Sequence, residues 1–143
     1  MKVKTALEML GGLAELDGYF NGAGDRRTPY KLDADTRLKI ARARRVLRQV
    51  QDDYVEARNA ALMELTDGLG ELPSPAGPFE NLAARATVRA QHLAFAARDR
   101  ELLGAELNGA ADIGRVTVAA LKLDENPIPP SVLDLLGPFV EDI

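Results

Sequence analysis

The chain has 143 residues, a net charge of -4 at neutral pH, and no cysteine. That excludes disulfides, thiolate chemistry and cysteine-type zinc sites, and it argues against nonspecific nucleic-acid binding by the whole molecule. Hydrophobic residues make up 46% and aromatics only 5%, with no tryptophan, so one domain over 1–143 with helix-on-helix packing is expected rather than a β-sandwich.

The start, Met1-Lys2-Val3-Lys4, lacks the apolar block of a signal peptide, and no apolar run nears the about 20 residues of a membrane span. The expectation is a soluble protein made in a reducing cytoplasm, with no membrane partner.

A first helix is predicted over 5–20. Thr5 and Glu8 fit a capping box, and Leu7, Leu10, Leu13 and Leu16, with Ala14 and Phe20, form its apolar face. Gly11-Gly12 costs about 1 kcal/mol per glycine against alanine, which marks a bend or a close approach of another backbone. Asn21 to Lys31 reads as a loop, stopped at Thr28-Pro29.

The dominant element is a long helix over 34–66. Small or apolar residues recur at Ile40, Ala43, Leu47, Val50, Tyr54, Ala57, Ala61 and Leu65, in steps of three and four. They draw one narrow seam along a rod of about 50 Å. Asp33 or Asp35 is suited to cap its start, and Asp67-Gly68 marks its end. A rod this long exceeds what one compact core covers, so another helix or another molecule must cover the rest.

Leu69 to Pro78 carries three prolines and two glycines and reads as a flexible crossover. A third helix follows over 80–103, with Leu82, Ala86, Ala90, Leu93 and Ala97 as one stripe, widened by Val88, Phe95 and Leu102. Its length suits antiparallel packing on the long helix as an αα-hairpin. Over 113–123, Val116, Val118, Leu121 and Leu123 alternate in part, which reads as a strand or small hairpin. Pro130 opens a short helix over 130–136; Gly137-Pro138 ends it, and Phe139-Val140 returns to the core. The fold class is therefore mainly α (α+β): a long helical hairpin with an N-terminal helix, a small C-terminal β element and a short helix.

Charge on the long helix is split. Arg37, Lys39, Arg42, Arg44, Arg45 and Arg48 crowd its first half, whereas Asp52, Asp53, Glu56, Glu64 and Asp67 face Arg58 alone in its second. Arginines bind phosphate bidentately, so a nucleotide or nucleic acid is one reading of the basic half. The arginines point in several directions and no aromatics are interleaved for base stacking. A solvated face, or ion pairs to protein, is therefore favoured. A rod positive at one end and negative at the other can also associate with its own copies.

No residue set supports catalysis. His92 is the only histidine and has no companions at metal-ligand spacing. Asp52 and Glu56 share a helical face, but two carboxylates make a poor cation site. Gly22-Ala23-Gly24 and Gly68-Leu69-Gly70 lack a preceding strand and a lysine at P-loop spacing. Ser74 and Ser131 have no base in any recognisable pattern. The expectation is a protein that is not an enzyme and uses no cofactor or metal.

The order and texture of these segments resemble a family of short tailed-phage proteins without assigned activity. The resemblance rests on Ala6-Leu7-Glu8-Met9-Leu10, on the charged stretch from Lys31-Leu32 to Arg58 with Tyr54, Ala57 and Arg58 near the middle of the long helix, and on the closing segment. That segment comprises Val118 to Leu123, then Ile128-Pro129-Pro130 with Leu133 and Leu136, then Phe139-Val140-Glu141. The crossover at 69–78 departs from the family pattern, as does the abundance of Ala and Arg in the third helix.

The resemblance implies phage origin and a morphogenesis role. The expected function is a non-enzymatic structural component of a phage particle, in capsid, neck or tail, located in the virion after synthesis in the host cytoplasm. Its partners would be copies of itself or a major phage structural protein. Leu47, Val50, Tyr54 and Ala57 are the expected packed seam, and Arg42, Arg45 and Arg48 the expected electrostatic contact. The alternatives are a small regulator or host-defence antagonist binding a nucleotide or nucleic acid, and a morphogenesis chaperone absent from the finished particle.

Overall fold

The structure, a computed structural model, describes residues 1–20, 27–107 and 113–141. It is mainly helical, with α1 (Val3–Glu15), α2 (Ala34–Leu65), α3 (Leu82–Gly104) and α4 (Pro130–Leu136). Two-residue strands β1 (Val116–Thr117) and β2 (Val140–Glu141) and 3-10 turns at Ala119–Leu121 and Gly137–Phe139 complete it. The chain, sized for one domain, divides into two compact units: Met1–Gln51 with Leu107–Ile143, and Asp52–Glu106. Helix α2 contributes residues to both.

In the first unit, α1 starts earlier and stops sooner than its periodicity predicts. Lys2 is the N-cap and makes no side-chain cap, so Thr5 lies inside the helix and the capping box is not its start. The Met1 carbonyl instead accepts the Leu107 N–H at 2.9 Å. At the other end Tyr19 and Thr28 exchange backbone hydrogen bonds of 2.9 and 2.6 Å. Gly18, at φ +156°, permits this: a Cβ there would sit 2.6 Å from the Thr28 carbonyl oxygen. The chain leaves the helix there, and Phe20 is 60% exposed instead of joining the apolar face. Residues 21–26, which the sequence assigns to the loop with Gly22 and Gly24, lie outside the described residues.

The adjoining glycines have opposite roles. A Cβ at Gly12 would lie 3.0 Å from Leu135 Cβ and 3.2 Å from the Leu136 nitrogen, so α4 approaches α1 closely there. Nothing lies within 4 Å of the equivalent point at Gly11. Gly11→Ala is therefore expected to raise stability by about 1 kcal/mol through helix propensity. Gly12→Leu is expected to lower it by about 1–3 kcal/mol through overpacking. Urea unfolding of the two variants checks the contrast.

The core of this unit is built by α1 (Ala6, Met9, Leu10, Leu13), the first half of α2 (Ile40, Ala43, Leu47) and the C-terminal segment (Val116, Leu121, Ile128, Val132, Leu136, Phe139). The β element expected over 113–123 is present as a two-residue strand and not as a hairpin of its own. Only Val116–Thr117 is extended, pairing in parallel with the far C-terminal segment in the register Val116↔Val140 and Thr117↔Glu141. The chain then tightens into the Ala119–Leu121 turn, which buries Leu121. Pro130 occupies the first turn of α4 as its fixed φ favours.

Asn126 is buried and ties two distant segments together. Its Oδ1 accepts the Lys31 N–H at 2.7 Å, and its Nδ2 donates to the carbonyls of Lys31 (3.1 Å) and Leu121 (2.7 Å). Beside it Lys122 Nζ binds Asp33 at 2.9 Å, and that bond raises the Lys122 ammonium pKa above its ordinary value. Asp33 thus serves a long-range ion pair just before α2, while Asp35 in the first turn pairs with Lys39 at 3.3 Å.

The second unit is an αα-hairpin made of the last part of α2, the crossover and α3. Helix α2 ends in a Schellman-type turn: Asp67 adopts φ +50° and the Gly68 N–H donates to the Met63 carbonyl at 2.8 Å. The Thr66 hydroxyl donates to Leu62 O and accepts the Gly70 N–H. Asn81 caps α3 by accepting the Ala84 N–H at 2.8 Å. The crossover, expected to be flexible, is tied to α3 where His92 Nε2 donates to the Pro73 carbonyl at 2.7 Å.

Candidate interaction surface

Each unit presents a different charged surface. In the first, the basic run of α2 is partly neutralised. Arg37 donates to the carbonyls of Tyr30 (2.6 Å) and Leu32 (3.2 Å). Lys39 pairs with Asp35, and Arg44 grips both carboxylate oxygens of Asp17. Arg42, Arg45 and Arg48 are exposed and have no acidic partner among the described residues. They are the three expected to make an electrostatic contact. Arg48 also borders a shallow hollow of about 320 Å³ shared with Leu7, Gly11 and Arg44.

The expected seam is occupied by the chain itself. Leu47 is fully buried in the first unit's core and offers a partner nothing, and Val50 packs half-buried against that core. Tyr54 and Ala57 are half-buried in the second unit. The Tyr54 hydroxyl donates to Asp99 Oδ1, and burial, reinforced by Asp99, raises its pKa above the usual phenol value. The seam residues are therefore internal contacts first, because the apolar side of a helix is claimed by whatever element of its own chain reaches it.

Within the hairpin the order of contacts is antiparallel. Tyr54 and Arg58 meet Asp99, the Arg58 guanidinium lies 4.8 Å over the Phe95 ring, and Gln91 donates to the Leu65 carbonyl at 3.3 Å. Glu64 and Arg98 pair at 3.6 Å. These contacts hold α3 by its Val88, Gln91, Phe95 and Asp99 side. The broader stripe read from the sequence, Leu82, Ala86, Ala90, Leu93 and Ala97, points away. All five are exposed, Leu82 at 81% and Leu93 at 64%. No residue of α3 is buried.

An open groove of about 340 Å³ runs beside that stripe, lined by Pro75, Arg85, Arg89, His92 and Leu93. Arg85 and Arg89 have no acidic partner among the described residues, so the groove is positive with an apolar edge. On the opposite helix of the hairpin, Asp52, Val55, Glu56, Asn59 and Met63 share one exposed face. Val55 is 45% and Met63 47% exposed. The reading of the sequence placed the α3 stripe against α2; only the aromatic and charged pairs across the hairpin reveal that its other side packs there.

Among the described residues no three His, Asp or Glu side chains converge on a point that could hold a metal, and no helix is long and apolar enough to cross a membrane. The two surfaces offer side chains for binding: guanidinium groups without partners on each, and exposed leucines on α3. No family model, curated protein or solved structure matches the chain.

Proposed function

We propose that the protein is a non-enzymatic structural subunit of a tailed-phage particle, acting through helix-mediated contacts with copies of itself or with a major structural protein. One observation carries the assembly part of this reading. The principal apolar stripe of α3 lies wholly on the surface, while no α3 residue is buried. Burying a leucine is worth about 1.5–3 kcal/mol, and a helix without a buried face draws little stability from propensity alone. A helix that keeps 23 residues in register while its leucines face water is suited to a partner that covers them. The phage setting is supported by the family resemblance of the sequence.

Mass spectrometry of particles purified from the native source tests this reading. A stoichiometric, salt-resistant signal from the chain is expected. Its absence from finished particles, with presence in assembling cells, would instead mark a morphogenesis chaperone.

The unpaired Arg42, Arg45 and Arg48 favour one further reading, a contact with a phosphate-bearing partner through the first half of α2. Retention on a phosphate-bearing resin that falls steeply with rising salt would support it, whereas salt-insensitive behaviour would remove it.

A further inference from the structure

The two outer faces of the hairpin in the second unit complement each other. On α3, Leu82, Ala86, Leu93 and Ala97 form an exposed apolar strip edged by the unpaired Arg85 and Arg89. On α2, Val55 and Met63 form a shorter apolar strip edged by Asp52 and Glu56, which have no cationic partner among the described residues. We propose that the α3 face docks onto the α2 face of a second copy of this chain, with Arg89 receiving the carboxylate of Glu56. This inference rests on the assembly reading above and names the surface and the partner.

Spacing supports the match. With the two helices antiparallel, Leu82 falls opposite Met63, Ala86 opposite Asn59, Arg89 opposite Glu56 and Ala90 opposite Val55. Alanines at 86, 90 and 97 let the axes approach closely. A second α3 is a poor occupant of the same face, since Arg85 and Arg89 of both copies would be brought together. Like charges in one contact are strongly disfavoured, and opposite charges steer the pairing.

Helix geometry also sets the symmetry of the contact. At about 100° per residue, Met63 lies about 180° around α2 from Tyr54, and Leu93 about 160° around α3 from Phe95. Tyr54 and Phe95 belong to the sides that meet inside the hairpin. The two docking faces therefore look outward on opposite sides of it. One contact joins unlike faces and leaves an α2 face and an α3 face open for further copies. Such a heterologous contact propagates into a ring or an open array, and does not close as a two-fold dimer.

Sedimentation velocity on the purified full chain tests this directly. Wild type is expected to grow beyond a dimer as concentration rises. Leu93→Glu and Val55→Glu, each blocking one face, should remain monomers, and their equimolar mixture should stop at a dimer because one intact pair of faces remains. Arg89→Glu and Glu56→Arg should each weaken association about tenfold or more, the equivalent of one lost charge pair in a contact. Combined in one chain, they should restore it. All replaced side chains are exposed or half-exposed; if circular dichroism shows that a glutamate variant loses helix, the charge-reversal set decides.

A wild type that stays monomeric throughout would overturn the proposal. So would a Leu93→Glu and Val55→Glu mixture with no dimer, or a double charge reversal no better than the single ones. These results are separable from those of the particle analysis. A chain present in particles but monomeric alone refutes this docking and leaves the subunit reading. A chain that assembles alone but is missing from particles does the reverse.

Discussion

Replacing Phe139 with alanine is expected to cost the first unit about 3–5 kcal/mol, the range for removing a buried aromatic ring from a packed core. Phe139 is fully buried and closes the segment in which α4 passes through a 3-10 turn into β2. Its neighbours in the cluster, Met9, Leu13, Leu121 and Leu136, are themselves fully buried, so little outside the core can move in to fill the void. Domains of this size are stable by only about 5–15 kcal/mol. The variant should therefore unfold at much lower urea, with an unchanged dependence on urea concentration. A loss below about 1 kcal/mol, within the range of surface substitutions, would mean that the C-terminal segment does not complete this core.

The second large effect is expected at Asn126. The Asn126→Ala variant removes both partners' contacts at once: the Lys31 N–H and C=O and the Leu121 C=O each lose the amide that satisfies them. Each such bond is worth about 0.5–1.5 kcal/mol net, and more where the abandoned group stays buried. A loss of about 2–4 kcal/mol follows, seen as a fall of about 10 °C in melting temperature for a chain of this size. Asn126→Asp keeps the acceptor for Lys31 but cannot donate to either carbonyl, so it should be destabilised as well. An unchanged melting temperature for both variants would refute the role of Asn126 as the tie between the 31 and 121 segments.

Much of this fold is legible in the sequence because local signals mark its helix limits. The long helix begins and ends almost where its seam and Asp67-Gly68 place it, since a Schellman-type stop is a property of a few consecutive residues. Pro130 and Gly137 fix α4 for the same reason. Long-range features are not written that way. The β1–β2 pairing joins residues 116–117 to 140–141, and two-residue strands carry no period. The early stop of α1 depends on Thr28 reaching Gly18.

The orientation of α3 was the least legible feature, and it matters most for function. This helix has two apolar sides. The one richer in leucine and alanine has the clearer period, yet the other holds Phe95 and Asp99, which engage Arg58 and Tyr54. An aromatic ring with a guanidinium over it contributes packing and electrostatics that alanines do not supply. Periodicity measures how apolar a face is. It does not say which neighbour claims it. The same blindness leaves open what covers Leu47 in the seam, and the first unit's own core does so.

The cations of α2 divide into those with partners inside the chain and those without. Among the six cations in the first half of α2, the structure occupies Arg37, Lys39 and Arg44 with partners inside the first unit. Arg42, Arg45 and Arg48 keep their charge available, as a charge-based reading of the run would select. Neutralisation by residues distant in sequence, such as Asp17 for Arg44, is what sequence alone could not exclude.

Amide hydrogen exchange across α3, followed as the concentration of the purified chain is raised, reads the central claim most directly. Protection of residues 82–104 is expected to increase with concentration, together with that of 52–65, while the amides of α1 and α4 stay constant. Exchange of α3 that is independent of concentration, with protection already equal to that of α1, would contradict a helix whose outer stripe waits for another molecule.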